Sequence, residues 1–215
     1  MRLLFWLLVC GIFVFSGCNI INPDETIPAY LHIDTVFLKE NGTGNEKSLT
    51  HNISDVWVYV NDQNIGAYEL PATIPVLKDG DAELRVAAGI KISGLSGFRL
   101  DYPFMDFYLN DTAFSLEQEK ITTITPEFKY YDQIDFKWIE DFENSSLSID
   151  TTWRSEVGIN VIEDDVKSGI FAGEIILSKT DSTNYFEAYS QYAYILPKGE
   201  KPVFLEMDYK IEESL

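Results

Sequence analysis

Cysteine, histidine and basic side chains are the scarce types in this chain. Of 215 residues two are cysteine, Cys10 and Cys18, and two are histidine, His32 and His51. Beyond Cys18 there is no thiol, which excludes a disulfide framework, a cysteine nucleophile and a cysteine zinc site from everything that follows. The histidines lie in different segments without metal-ligand spacing and support no Ser-His-Asp arrangement. Sixteen Lys and Arg stand against 35 Asp and Glu, a net charge of −19. A surface of that sign repels phosphate backbones, so nucleic acid is disfavoured as a partner, as is docking on anionic lipid headgroups. The longest apolar run, Leu3 to Phe15, falls far short of the roughly 20 residues of a bilayer span. In the first half of the chain no apolar 3.6-residue pattern is long enough for a helix.

That apolar run follows Arg2 and ends in Ser16, Gly17 and Cys18, the layout of a secretory leader with a small-residue cleavage site. Ending on a cysteine, it resembles the lipobox of bacterial lipoproteins, although Phe15 stands where that family usually has Leu, Val or Ile. In that family the leader is cut before the cysteine, whose thiol and new amino group are acylated. The resemblance implies a leader over residues 1–17, Cys18 as lipidation site and first mature residue, and a Pro-punctuated tether over 18–28. It implies a membrane partner through the N-terminal lipid and a place at the outer membrane or cell surface. A plain secretory signal and a retained helix are the alternatives. Without Arg2, 15 basic side chains face 35 acidic ones, giving −20. The acidity reads first as solubility outside the cytoplasm and second as divalent-cation binding.

Aromatic residues are abundant, 14% of the chain, with 12 Tyr, 14 Phe and 4 Trp, many in the alternating runs that strands prefer. The expected fold class is all-β, in two units. The first spans 29–131. Tyr30 to Leu38 and Lys120 to Tyr131 alternate as strands. Asp55 to Val60 puts Val56, Val58 and Val60 on one face and Trp57 and Tyr59 on the other. Asn61 to Asn64 has hairpin-turn chemistry, and Ile65 to Leu70 returns as the partner strand. Pro71 to Gly80 leads into a further strand over Ala82 to Ile92. The succession V-Y-V-N-D-x-x-I-G, P-A-T-I-P-V-L and D-G-D-A-E-L-R-V resembles small surface β-sandwich modules of the PEGA type and their immunoglobulin-like relatives. That resemblance implies a shape without catalytic groups.

The second unit spans 132–215. Its order, E-D-F-E from Glu140, Trp153 ten residues on, V-K-S-G-x-x-A-G from Val166, then an apolar strand, resembles the opening of carbohydrate-binding or concanavalin-like jelly rolls. Tyr185 to Leu196 and Val203 to Ile211 supply further strands. A complete jelly roll has eight strands, so the unit is either minimal or stops early. The hydrophobic strand at its end has no partner in sequence and forms an uncovered edge.

Two sets of residues are candidate sites. Trp153, Tyr185, Tyr189 and Tyr192 suit sugar stacking, with core packing as the alternative for each. Glu140, Asp141 and Glu143 are where the jelly-roll resemblance implies a structural calcium; solvated strand-edge acids are the alternative. On a strand, Asp141 and Glu143 would share one face. No other cofactor is expected. The expected function is a non-enzymatic one, binding or assembly by a lipid-anchored extracytoplasmic protein. The alternative is the glycan-binding component of a polysaccharide-capture system, like such lipoproteins in Bacteroidota. A glycoside hydrolase or lyase comes third, because paired carboxylates are present without a visible cleft signature.

Overall fold

Val56, Val58 and Val60 alternate with Trp57 and Tyr59, and this period of two decides how the chain's central strand sits. The three valines are buried, while Trp57 and Tyr59 lie half-buried on the opposite face. A computed structural model describes residues 25–110, 114–178, 183–199 and 201–212. Among these the chain is all-β, with one short 3-10 turn at Ile92–Gly94 as its sole helical element. The leader, Cys18 and the tether up to Asp24 lie outside the described residues.

Twelve strands belong to the first unit: β1 (Ala29–Ile33), β2 (Phe37–Leu38), β3 (Asp55–Val60), β4 (Gln63–Glu69), β5 (Ala72–Val76), β6 (Gly80–Ala82), β7 (Leu84–Lys91), β8 (Arg99–Asp101), β9 (Tyr108–Leu109), β10 (Phe114–Leu116), β11 (Ile121–Ile124) and β12 (Glu127–Phe128). One sheet has the order β4-β3-β7-β8, with β9 also on β7; another has β11-β1-β5, and β10-β6 and β12-β2 form short pairs. The hairpin β3–β4 forms as its sequence indicates. Asn61 and Asp62 take φ of 49° and 61°, the left-handed pair that a two-residue hairpin turn needs.

Side chains from both larger sheets meet in one core. Leu31 and Ile33 of β1, Val56 and Val58 of β3, Ile74 of β5, Val86 of β7 and Phe128 of β12 are all buried in it. On the outer face of the β3 sheet the Arg85 guanidinium lies over the rings of Tyr59 and Phe107, 4.7 and 4.9 Å from their centroids. Such stacking covers the aromatic faces with the stem and head of a cation.

The expected strands Tyr30 to Leu38 and Lys120 to Tyr131 are each divided, at matching points. Val36 turns inward to the core between β1 and β2, and the buried Pro126, which has no N–H to donate, separates β11 from β12. Both halves keep the same neighbour, since β1 pairs with β11 and β2 with β12, each in parallel.

From Asp132 onward no described residue is fully buried. The second unit has two short antiparallel pairs, β13 (Ile149–Thr151) with β16 (Ala188–Ser190) and β14 (Asn160–Ile162) with β15 (Ala172–Glu174). Two segments expected as strands differ, as does the acidic-aromatic segment where the jelly-roll resemblance implies an opening strand. Phe136 to Glu143 makes no strand, and Phe142 takes φ of 61° at a bend near its end. Tyr185 to Leu196 is reduced to β16, and among the described residues Val203 to Ile211 forms no strand.

A charge is buried at the start of β3. Asp55 is fully buried, accepts a hydrogen bond from the Ser54 hydroxyl at 2.7 Å and pairs with the Arg99 guanidinium. Arg99 also reaches Glu69 at 2.9 Å, so one guanidinium ties β8 to β3 and β4. Gly89 of β7 lies opposite Asp55, where a Cβ would stand 2.8 Å from both the Asp55 Cβ and its carbonyl oxygen; only glycine lets the strands approach that closely. Removing the guanidinium leaves an uncompensated buried carboxylate, which costs about 3 to 5 kcal/mol. Arg99→Ala is therefore expected to lower unfolding stability by about 3 kcal/mol in urea titration, and an unchanged midpoint would contradict this role for the pair.

Candidate functional site

Trp153 is 92% exposed, the most open of the large hydrophobic side chains described. Its position follows from the ladder beneath it. Strands β13 and β16 pair Asp150 with Tyr189 and Thr151 with Ala188, and the pairing continues outward through Thr152 N–H to Glu187 O at 3.0 Å and Glu156 N–H to Tyr185 O at 2.9 Å. Between these bonds Thr152, Trp153, Arg154 and Ser155 form a turn closed by Ser155 N–H to Thr152 O at 3.0 Å. A residue at the second position of such a turn points away from the ladder, and here that residue is the tryptophan.

Around it lies a shallow hollow lined by Thr151, Thr152, Trp153, Arg154, Glu187 and Tyr189. The floor is rigidly hydrogen-bonded. The Arg154 guanidinium grips the Glu187 carboxylate with both Nε, at 3.0 Å, and Nη2. Glu187 also accepts from the Thr152 hydroxyl at 2.5 Å and the Tyr185 hydroxyl at 3.1 Å. The hydrogen bond from Thr152, joined by those from Arg154 and Tyr185, holds the Glu187 carboxyl below its ordinary pKa against the opposing effect of burial. A half-exposed Tyr189 ring completes the surface.

Of the four aromatics singled out from sequence, Trp153 and Tyr189 share this hollow and Tyr185 braces its carboxylate. Tyr192 stands apart. With Tyr194 it lines a second depression, against Trp138, Phe136 and the Gly44 to Lys47 loop of the first unit. None of the four is packed in a core, because all four are exposed. Arg154, Thr152 and Glu187 were not legible as site residues. Arg154 and Glu187 lie 33 positions apart and carry no spacing signal.

The three acids considered for calcium take other work. Glu140 accepts from Phe142 N–H at 2.9 Å through one oxygen and from the Ser148 N–H and hydroxyl at 2.5 and 2.8 Å through the other. Glu143 accepts from Ile170 and Phe171 N–H at 2.6 and 3.0 Å, at a turn where Gly169 takes φ of 81°. Asp141 accepts from Glu143 N–H at 3.2 Å. With no strand over 136–143, the shared face expected for Asp141 and Glu143 does not form. Among the described residues no group of three or more His, Cys, Asp or Glu side chains is placed to hold a metal ion. His32 bonds to the Thr73 hydroxyl at 2.9 Å, and His51 lies in a loop where burial, then the charge of Lys167, lowers its pKa.

Because the folded Glu187 carboxyl titrates below the ordinary value of 4.5, its contacts persist above pH 4.5 and are lost as pH falls through the lower folded pKa. The Arg154 Nε–H resonance is thus expected to hold constant from neutral pH down to 4.5 and to shift only below it. A midpoint above 4.5 would contradict the arrangement. Comparison of the chain with protein-family models, with curated proteins and with solved structures finds no match.

Proposed function

We propose that this chain is a lipid-anchored extracytoplasmic binding protein of a bacterial envelope, whose second unit takes a glycan on Trp153 and Tyr189. The observation that carries this is the 92% exposure of Trp153 above a fixed polar floor. A sugar ring presents a face of C–H bonds and a rim of hydroxyls. An open indole matches the face, and Arg154, Glu187 and Thr152 match the rim with donors and acceptors already held in place. Preorganisation of this kind reduces the ordering cost of binding.

Glu187 is the one carboxylate among the residues lining the hollow. Glycoside hydrolysis needs two, about 5 to 10 Å apart across the bond, so the lining supports binding over cleavage. The Arg154 charge is matched by Glu187, and the rest of the chain is strongly acidic. A neutral glycan is therefore favoured over a uronic-acid polymer, which the net charge would repel.

The architecture proposed for this protein is two β-sandwich units in series, the first immunoglobulin-like or PEGA-like and the second jelly-roll-like. The pair of larger sheets around one core supports the first. The antiparallel pairs β13–β16, which carries Tyr189, and β14–β15 support the second. Cys18 remains the proposed attachment point, and the chain from Cys18 to Pro28 the tether that sets how far the first unit stands from the membrane.

Two experiments test this. On a glycan array of neutral oligosaccharides the chain is expected to bind at least one class, with Trp153→Ala weakening it about tenfold or more, equivalent to about 1.4 kcal/mol, and Tyr189→Ala weakening it less. Binding that is indifferent to Trp153 would sink the proposal. In cells, a signal-peptidase II inhibitor is expected to leave the precursor unprocessed, and Cys18→Ala to do the same; processing that ignores both would remove the lipid anchor.

A further inference from the structure

The pairing of β13 with β16 continues past both ends in one register. Asp150 lies opposite Tyr189, and the ladder extends through Thr152 N–H to Glu187 O at 3.0 Å on one side and Gln191 N–H to Ser148 O at 2.9 Å on the other. Side chains two residues apart on a strand share a face. Ser148, Asp150 and Thr152 therefore stand on one side of the ladder together with Glu187, Tyr189 and Gln191, and the bond from the Thr152 hydroxyl to the Glu187 carboxylate joins two of them. Asp150, Tyr189 and Gln191 are exposed, whereas Ile149, Thr151, Ala188 and Ser190 on the reverse are half-buried, so this face is the outer one.

Trp138 joins that face at the end away from Trp153. Its indole N–H donates to the Ser148 hydroxyl at 2.8 Å, and this hydroxyl donates to Glu140 at 2.8 Å, which also takes the Ser148 N–H. The relay satisfies the polar edge of the indole within the protein and fixes the plane of the ring. Trp138 lines the second depression with Phe136 and the exposed Tyr192, and its rim carries Lys47, Asp132 and Gln133. The two hollows are thus alike in chemistry: aromatic surface, a polar rim, and a floor held by a carboxylate. Thr152 lines one and Ser148 the other. Four residue steps of strand separate them, about 13 Å, more than one sugar ring spans.

Resting on the glycan reading of Trp153, we propose that the ligand is an oligosaccharide chain of several sugars laid along the outer face of β13 and β16, with Trp138 and Tyr192 as its second subsite. Both hollows are fixed to one hydrogen-bonded ladder, so the pairing of the strands sets their spacing. Between them Tyr189 presents a further ring, and Asp150 and Gln191 present polar groups to sugar hydroxyls. A chain passing from one hollow to the other keeps contact with the protein throughout. Once a sugar is seated on Trp153, those that follow reach Trp138 at high effective concentration, and the second contact adds affinity without a second loss of translational freedom. A disaccharide occupies one hollow alone.

Calorimetric titration of the full chain with maltose, cellobiose, xylobiose and mannobiose, and with the tetrasaccharide and hexasaccharide of each, tests this. In a series that binds, affinity is expected to rise at least tenfold from disaccharide to hexasaccharide. Tyr192→Ala, at an exposed position, should abolish that rise while leaving the disaccharide affinity and the melting temperature unchanged. Trp138→Ala should abolish it too, and Trp153→Ala should weaken every length. An affinity independent of length, or a gain that survives Tyr192→Ala, would overturn the second subsite; if Trp153→Ala still weakens binding, the glycan reading stands without it. Absence of binding in every series, or binding indifferent to Trp153, would remove the glycan reading and the second subsite together.

Discussion

Among the described residues all full burial is confined to the first unit. Every fully buried hydrophobic side chain described lies between Ala29 and Tyr130, in the core shared by the β3 and β1 sheets. Burial contributes roughly 25 cal/mol per Å² of apolar surface removed from water, so among the described residues the fully buried side chains that contribute most each lie in the first unit. The second unit exists as an ordered body on different terms. Its aromatic and aliphatic side chains, of which Trp153 is the extreme, remain at the surface, where a ligand or partner can use them.

Carboxylates organise what the core does not. Glu140, Glu143 and Glu156 each accept hydrogen bonds from two backbone N–H groups that a sheet or helix would otherwise have satisfied, and Glu187 and Glu206 each accept two or more from side chains. Glu156 shows the device plainly: one oxygen takes the Asn184 and Tyr185 N–H groups at 2.7 and 3.1 Å and fastens the chain entering β16 to the turn after β13. Charge-assisted bonds of this kind are stronger than neutral ones and need no burial to form. Acidity in this chain therefore has a structural use beyond solubility. The same logic fixes Glu206 between two tyrosine hydroxyls and joins the final segment to the first unit. In Val203–Ile211 the residues Phe204, Glu206 and Asp208 contact the first unit, while Val203, Leu205, Met207, Tyr209 and Ile211 are exposed.

The first unit was legible because its signals were local and consistent. Alternation in Asp55 to Val60, turn residues Asn61 and Asp62, and the return through Ile65 specify a hairpin without reference to anything distant. The division of Tyr30–Leu38 and Lys120–Tyr131 was not legible, since the inward turn of Val36 and the position of Pro126 matter only once the two segments lie side by side. In the second unit the jelly-roll resemblance implied an opening strand at Glu140–Glu143, but a glutamate two residues from an amide can satisfy it without a neighbouring strand, and Glu140 does so for Phe142. The site was half legible. Trp153 and Tyr189 stood out as aromatics in a plausible recognition fold; Arg154 and Glu187 became meaningful only when β13 and β16 paired.

The central claim is that order in this protein is divided between a unit held by burial and one held by hydrogen bonds, with recognition assigned to the second. Amide hydrogen exchange measured across the full chain tests that division most directly. The slowest amides are expected in β1, β3, β5 and β7, with those of β13 to β16 exchanging on the order of a hundredfold faster through local opening, and those of Val203–Ile211 close to unprotected. Exchange in β13 and β16 as slow as in β3 would contradict the account, because it would require a buried core in the second unit that the described side chains do not form.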